Sequence, residues 1–512
     1  MFDVLVVGGG INGVGIARDA AGRGLKVALC EQHDLAAHTS SASSKLIHGG
    51  LRYLEHRAFG MVRKALAERQ VLMRLAPHLV HPLPFVLPHE PHLRPAWMIR
   101  LGLMVYDRLA PRGDTLPRSR RVPLRGTALG APLRDSVTRG FLYADAQVAD
   151  ARLVVLNALD AHERGACIWT RTTCLQAWRE PSGWCVDLRD ERGQLHSVQA
   201  RMLVNATGPW ASRFTEDISL SRSTPLRLVQ GSHIVVPALH DHGHAYLLQQ
   251  PDGRIVFVVP FEDRFSLIGT TDVDFDEDPA RVRIDPAQRD YLCAAVNRSF
   301  RRQIGADDVL WSFSGVRPLL DDAHAAASAV TRDYRLDLDV EGAPLLNVLG
   351  GKLTTFRRLA EEAVDLLVHE AGTSAPAWTA EGPVLPGGDL GTPAQVRHWL
   401  ATRWPWLPAP LAARWARSYG SRAARILGNA ESLDALGTHF GADLHEAEVE
   451  YLYLHEWVRH VDDVLWRRTL LGLSLDAVQQ HDVAQWLAAR VARDPTPAPR
   501  FDVPSPTTRS TP

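Results

Sequence analysis

The chain has 512 residues, 46% hydrophobic and 22% charged, with a formal net charge of −1. That length suits roughly two to four globular domains with their own cores, and the near-neutral balance argues against a dedicated nucleic-acid binder. Five scattered cysteines (Cys30, Cys167, Cys174, Cys185, Cys293) with no C-x-x-C pair suggest a reducing compartment, the opening residues read as a strand rather than a signal peptide, and no apolar run reaches the 18 residues of a spanning helix.

Residues 3–7 form a short apolar run that predicts a buried parallel strand, and it leads directly into Gly8-Gly9-Gly10-Ile11-Asn12-Gly13. Gly8, Gly10 and Gly13 fit G-x-G-x-x-G: the first for a tight turn, the second for backbone approach to a pyrophosphate, the third for close helix–strand packing. An Ala-rich helix is expected to about Arg23, with its free N–H groups and positive dipole end turned toward phosphate. A second strand over residues 26–30 ends on Glu31, about twenty residues past the glycines, where a carboxylate accepts from an adenosine ribose. Gly8, Gly10, Asn12, Gly13 and Glu31 are therefore candidate dinucleotide contacts.

Residues 39–53, TSSASSKLIHGGLRY, combine small hydroxyls with a glycine pair that lets the backbone lie close to a ligand. Ser43, Ser44, Lys45, Gly49 and Gly50 are candidate cofactor contacts there, and His48, Arg52 and Tyr53 cluster as a polar site. Residues 59–75 predict an amphipathic helix, and a Pro-rich stretch follows. Residues 94–108 are apolar, flanked and interrupted by Arg, with Trp97 and Tyr106. They fit either a membrane interface or a buried helix with snorkelling arginines, and the residues alone favour the buried helix.

Residues 152–163 predict a helix, and residues 167–190 two strands with a turn at Pro181-Ser182-Gly183. The strand over residues 202–205 ends in Ala206-Thr207-Gly208-Pro209-Trp210, a second strand-to-glycine turn of the kind expected in an FAD protein and less so in a simple NAD domain. Ala206 and Gly208 join the candidate cofactor contacts. The middle of the chain is strand-rich (residues 232–237, 245–248, 254–261, 265–269) and reads as an antiparallel sheet suited to the floor of a substrate pocket. A helix over 285–300 follows, then a strand over 309–314 leading to Gly315-Val316-Arg317-Pro318, and another over 331–338 carrying Arg332. The strand over 345–349 ends in Gly350-Gly351-Lys352-Leu353-Thr354-Thr355, with a strongly amphipathic helix to about Glu370. Such a glycine-led helix end can face the flavin edge where negative charge collects on reduction, so Gly351, Lys352, Leu353 and Thr354 are candidates. Lysine occurs only at positions 26, 45, 64 and 352, which singles out Lys352 where a compact ammonium is required. Residues 383–392 read as a linker, residues 393–493 as helical, and residues 494–512 as a disordered tail.

Taken together these motifs resemble the aerobic, FAD-dependent glycerol-3-phosphate dehydrogenases of the D-amino-acid-oxidase-like superfamily. The resemblance covers residues 1 to about 490 and rests on GGGINGVGIARDAAGRG (8–24), SSASSKLIHGGLRYLE (40–55), PHLRPAWMIRLGL (91–103), NATGPW (205–210), GSHIVVP (231–237), FSLIGTTD (265–272), SGVRPL (314–319), TRDY (331–334), GGKLTT (350–355) and HEWVRHVDDVLWRRT (455–469). One departure is Ala149-Asp150, where the family usually carries two aspartates. The implied fold is α/β: a Rossmann-like FAD-binding domain (about 1–75, 145–215 and 340–372) interleaved with an antiparallel-sheet substrate domain (about 76–144 and 216–339), together residues 1–383. A C-terminal all-helical domain (384–493) follows.

The resemblance implies oxidation of sn-glycerol 3-phosphate to dihydroxyacetone phosphate, with electrons passing through non-covalent FAD to a membrane quinone. A dianionic phosphate calls for guanidinium and ammonium groups, so Arg52, Arg317, Arg332, Tyr53 and Lys352 are the phosphate and hydroxyl candidates, with His48 and Thr271 beside them and Asp272 a weaker one. The general base is His233, by its ordinary pKa, or Arg317, which otherwise stabilises the developing alkoxide. Reaching a quinone also favours the membrane reading of residues 94–108, on the cytoplasmic face of the inner membrane. A homodimer is expected, and no calcium or other metal site. The competing readings are a glycerophosphate oxidase using oxygen, an amine or amino-acid oxidase of the same fold, and a non-catalytic flavin-bound scaffold.

Overall fold

The computed structural model describes residues 1–55, 57–90, 93–109, 116–218, 224–320 and 333–493, with Arg52 described by its backbone alone. The expected Arg332 and the expected tail at 494–512 lie outside the described residues.

The apolar opening run forms the strand Phe2–Val7 at the centre of a sheet ordered Arg335–Asp339, Leu345–Leu349, Leu195–Asn205, Phe2–Val7, Val27–Cys30, Cys167–Trp169. Its central pairings are parallel, with Val4 beside both Met202 and Val27, and Leu203 beside Leu345. Parallel strands buried on both faces need uninterrupted apolar runs, which these supply. The region expected to hold two strands holds three, Cys167–Trp169, Thr173–Glu180 and Gly183–Arg189, and the last two extend antiparallel from Leu195–Asn205. Helices Ile11–Gly22, Asp150–Glu163 and Phe356–Glu370 share one apolar core. Phe356, Leu359, Ala363 and Leu367 of the third are buried in it, as the period predicts, each large side chain contributing roughly 2 kcal/mol. The carboxyl ends of Phe2–Val7, Leu195–Asn205 and Leu345–Leu349 thus open on one side, the edge where open α/β sheets bind ligands.

The second sheet runs Val273–Asp274, Leu226–Pro237, Phe265–Gly269, Ile255–Phe261, Ala245–Gln249, Val80–Pro88, Arg139–Val148, Leu46–Ile47. It is mixed rather than purely antiparallel, because Ala245–Gln249 lies parallel to Val80–Pro88. The Pro-rich stretch is therefore partly a nine-residue strand. Pro82, Pro84 and Pro88 sit at alternate positions, so their missing donors fall on one side of it. The strand Trp311–Leu320 also runs through Gly315-Val316-Arg317-Pro318, which the sequence placed after a strand; pairing with Leu226–Pro237 along its whole length holds it extended.

Helices Pro393–Arg403, Ala409–Ser418, Ala423–Leu427, Glu446–His455 and Ala477–Arg493, with a small ribbon His439–Gly441/Leu444–His445, enclose a separate core around Trp415 and Tyr419. The stretch expected as a linker is strapped down: Leu385 is buried and its N–H donates to the Leu75 carbonyl at 2.7 Å. Among the described residues no helix is long and apolar enough to cross a membrane.

His78 is buried beneath this strap, beside Gly387 and Gly388, with neither ring nitrogen hydrogen-bonded to a described residue. Burial, then the nearby Arg152 charge, pushes its pKa down to about 3. The folded value lies below the unfolded one, so this contribution is complete above about pH 6.5 and is lost as pH falls toward 3, at about 1.4 kcal/mol per pH unit. His78→Leu is expected to flatten that slope. Urea denaturation at pH 7 and pH 5 should show the stability gap between wild type and variant moving by about 2 kcal/mol, whereas a gap independent of pH would mean that His78 does not titrate on unfolding.

Candidate functional site

A cavity of about 670 Å³ opens at the carboxyl ends of the central strands and runs between the two sheets. One wall is the glycine turn. Gly8 has φ +114°, and a β-carbon there would lie 2.5 Å from the Ala206 carbonyl; one on Gly13 would lie 1.9 Å from the Gly8 carbonyl. Gly13 does not itself line the cavity: it lets helix Ile11–Gly22 sit close enough for Gly8, Gly10 and Asn12 to do so. That helix begins on Gly10 with no side-chain cap, and the Ile11 N–H donates to Ser40 Oγ at 3.0 Å. Glu31 also lines the cavity; its carboxylate accepts from the Gly9 N–H at 2.7 Å and from the His33 N–H at 2.8 Å.

The serine-rich loop forms a second wall. Ser43, Ser44 and His48 line the cavity. Lys45, Gly49 and Gly50 do not. Lys45 is buried in an ion pair with Asp150 (2.6 Å) and also donates to the Ser41 carbonyl. Asp150 accepts from Ser43 Oγ at 2.7 Å and begins helix Asp150–Glu163. The aspartate kept at this atypical position is thus what ties the loop down. Gly49 and Gly50 stand behind the wall. Leu66 and the Tyr106 hydroxyl fill the space a Gly49 side chain would need, and the Gly49 N–H meets that hydroxyl at 2.8 Å.

Ala206, Gly208, Gly351, Lys352, Leu353 and Thr354 line the facing side, with Tyr53. Lys352 Nζ lies 4.4 Å from the centre of the Tyr53 ring and 3.2 Å from Met61 Sδ. Arg317 lines the cavity from strand Trp311–Leu320. Its guanidinium pairs with Asp272 at 2.6 Å and donates to Thr270 Oγ1 at 2.9 Å and to the Thr271 carbonyl. It lies across Gly231, where any β-carbon would collide with it. Thr271 is behind the wall, its hydroxyl accepting from the Ser232 N–H. The Arg52 side chain is outside the described residues.

His233 is buried and is not part of the lining. Its Nε2 lies 2.9 Å from Ser44 Oγ, and its ring stacks on Phe313 at 4.9 Å. Burial, then the Arg317 and Lys45 charges, holds its pKa well below the ordinary range, so it is neutral near pH 7. Its contact with the cavity runs through Ser44. Reasoning from residue types missed Trp210, His38, Phe257, Thr172 and Cys174, all of which line the cavity. Trp210 lies in a motif already quoted, whereas the two residues from the Thr173–Glu180 hairpin region carry no sequence signal. Among the described residues no group of three or more His, Cys, Asp or Glu side chains could hold a metal ion.

The family model described as FAD dependent oxidoreductase matches residues 3–357, and that described as the C-terminal domain of alpha-glycerophosphate oxidase matches residues 379–495. The chain is 54% identical to the glycerol-3-phosphate dehydrogenase of Pseudomonas aeruginosa, over 95% of each chain. It is 48% identical to the D-erythritol 1-phosphate dehydrogenase of Brucella abortus, over 94% of this chain and 97% of the other. Among solved structures, the glycerol-3-phosphate dehydrogenase of Bacillus halodurans complexed with FAD aligns with TM-score 0.77 at 27% identity, over 96% of this chain and 91% of that one. The cavity fits that cofactor. Its glycine turn admits no β-carbon at Gly8 or Gly13, so that bare backbone and an uncapped helix start form that wall, and Glu31 lines the cavity one strand away.

Gly13→Ala is expected to give a folded protein that purifies without flavin, because the methyl group must push helix Ile11–Gly22 off the turn at a cost of about 1–3 kcal/mol. The visible absorption of the purified variant reads the outcome; full FAD occupancy would show that the turn tolerates the displacement.

Proposed function

The chain belongs to the FAD-dependent oxidoreductase family, and from that premise we propose that it oxidises sn-glycerol 3-phosphate to dihydroxyacetone phosphate, passing the electrons on to a membrane quinone. The observation that carries this reading is the meeting of two unlike ends in one cavity: a glycine-led helix start for a dinucleotide, and Arg317 with Lys352 for a phosphorylated polyol. Gly8, Gly10, Asn12, Glu31, Ser43, Ser44, Ala206, Gly208 and the 351–354 turn would hold FAD non-covalently, and the bound flavin would supply the acceptor for the hydride leaving C2 of the substrate.

The chain's own residues manage charge and protons. Arg317, held by Asp272 and Thr270, presents a fixed guanidinium to the phosphate or to the alkoxide developing at C2. Lys352 offers a compact ammonium, and Tyr53 beneath it orients the polyol, with Arg52, Arg332 and His48 completing the substrate contacts. The proton leaving the C2 hydroxyl passes to Ser44 Oγ, whose own proton moves to neutral His233 at Nε2. That hand-off makes His233 the base without placing it on the cavity wall. Its depressed pKa limits proton uptake, and Arg317 stabilising the alkoxide offsets that limit.

The membrane part of the proposal rests on helix Ala96–Tyr106. Leu103 and Tyr106 are buried, but Trp97 is 60% exposed and Leu101 52% exposed, next to Arg94 and Arg100. That corrects the buried-helix reading for its outer face and supports peripheral contact with lipid on the cytoplasmic side of the inner membrane. A homodimer remains part of the proposal, and light scattering of the purified protein reads it directly. A second substrate reading, a four-carbon polyol phosphate, is favoured by the likeness to the erythritol phosphate enzyme. The amine-oxidase reading fits less well with a cavity carrying both Arg317 and Lys352.

Anaerobic mixing with sn-glycerol 3-phosphate is expected to bleach the flavin band, and D-erythritol 1-phosphate to do so more slowly. Reversal of that order would assign the longer substrate, and bleaching by neither would overturn the proposal. Arg317→Ala should keep its flavin and slow bleaching by roughly a hundredfold or more; an unchanged rate would remove Arg317 from the chemistry.

A further inference from the structure

The run HEWVRHVDDVLWRRT at 455–469 plays no part in the chemistry above, yet it reaches the cavity's nucleotide end through the buried carboxylate of Asp34. A π-helical turn, Asp463–Arg468, lies against the loop that follows Glu31. Arg468 donates to both oxygens of Asp34 at 2.8 Å, and Arg467 Nε donates to the same carboxylate at 2.6 Å. Asp34 is 2% exposed and Arg468 1%.

Both partners are anchored further. Arg467 also pairs with Asp463 at 2.5 Å, and Asp463 takes a second guanidinium from Arg171, whose N–H in turn donates to the His33 carbonyl. Arg468 Nη2 donates to the Glu456 carbonyl at 2.7 Å, and Glu456 pairs with Arg152 of helix Asp150–Glu163. On the other side, Trp466 stacks on Trp311 of the second sheet at 4.7 Å.

The loop so gripped is part of the cavity. Gln32, His33, Ala36 and His38 line it. The Ala36 N–H donates to the Gly9 carbonyl, and Leu35 packs where a Gly9 side chain would stand. Asp34 thus sits between the C-terminal helices and the glycine turn. Removing its arginines would leave a buried charge uncompensated, and the loop would have to move to rehydrate it.

We propose that the C-terminal helical region is a latch on the cofactor: Arg467 and Arg468, through Asp34, fix the loop 32–38 that closes the nucleotide end of the cavity. Asp34, Arg467 and Arg468 are positioning residues, not catalytic ones. The inference rests on the reading that FAD occupies this cavity.

The test compares wild type with Asp34→Asn, Arg468→Met and Arg422→Met. The last breaks a 2.7 Å ion pair with Glu163 that also joins the C-terminal helices to the first domain but does not touch the loop. FAD affinity is read by titrating flavin-stripped protein, and kcat and KM with FAD in excess. Asp34→Asn and Arg468→Met are expected to weaken FAD binding roughly tenfold or more, with turnover largely restored by excess FAD. Arg422→Met is expected to lower Tm while leaving FAD affinity unchanged. Unchanged FAD affinity in the first two variants, or an equal loss in the third, would overturn the latch. Hydrogen exchange on the wild-type chain decides the matter even if the variants do not fold: FAD is expected to slow exchange across 463–469, and equal exchange with and without FAD contradicts the proposal. A wild type that takes up no FAD would instead sink the cofactor reading beneath it.

Discussion

The rest of this structure depends on a backbone contact that leaves no room for a side chain, the packing of Gly13 against the Gly8 carbonyl and of Gly8 against Ala206. It brings the uncapped start of helix Ile11–Gly22 onto the ends of two neighbouring strands, where Gly10, Ile11 and Asn12 line the cavity. The other walls are positioned from that point. The serine loop joins through Ser40 on the Ile11 N–H, and the 350–354 turn through Asn12, whose side-chain amide donates to the Gly350 carbonyl at 3.1 Å. The loop 32–38 joins through Ala36 on Gly9. Residues from distant parts of the chain thus take their places from one tight turn.

Arginine does the joining elsewhere. Arg18 with Asp160, Arg152 with Glu456, Arg357 with Glu68, Arg414 with Glu448 and Arg468 with Asp34 are buried pairs that connect separate elements. Such pairs add little net stability over apolar packing but are costly to break one side at a time. They therefore specify which elements meet. A planar guanidinium able to bind two carboxylate oxygens suits that task better than an ammonium. Lys45 is one of the chain's four lysines, and it too is spent on a buried structural pair. Lys352 alone of the four stands on the cavity wall.

Much of this was legible in the residues, because the glycine turn, the acid after the second strand and the amphipathic helix Phe356–Glu370 follow local rules of spacing. What stayed hidden depended on pairing partners far along the chain. Nothing local in Val80–Pro88 announces a strand, since its prolines are tolerated only because their missing donors fall on one side. Arg317 was expected after a strand and stands within one, held extended by Leu226–Pro237. His233 was recognisable as chemistry, but its setting behind Ser44 is a product of three strands meeting. The loop composition that made Lys45 a candidate could not show that Asp150 would claim it.

In the proposed function, one cavity holds FAD along the glycine turn and a phosphorylated polyol against Arg317 and Lys352. The most direct measurement is a crystal structure of the holoenzyme with dihydroxyacetone phosphate. The FAD pyrophosphate is expected at the start of helix Ile11–Gly22 and the product phosphate within hydrogen-bonding distance of Arg317, with Ser44 next to the product's C2 oxygen. A flavin elsewhere, or a product phosphate away from both Arg317 and Lys352, would contradict the proposed function.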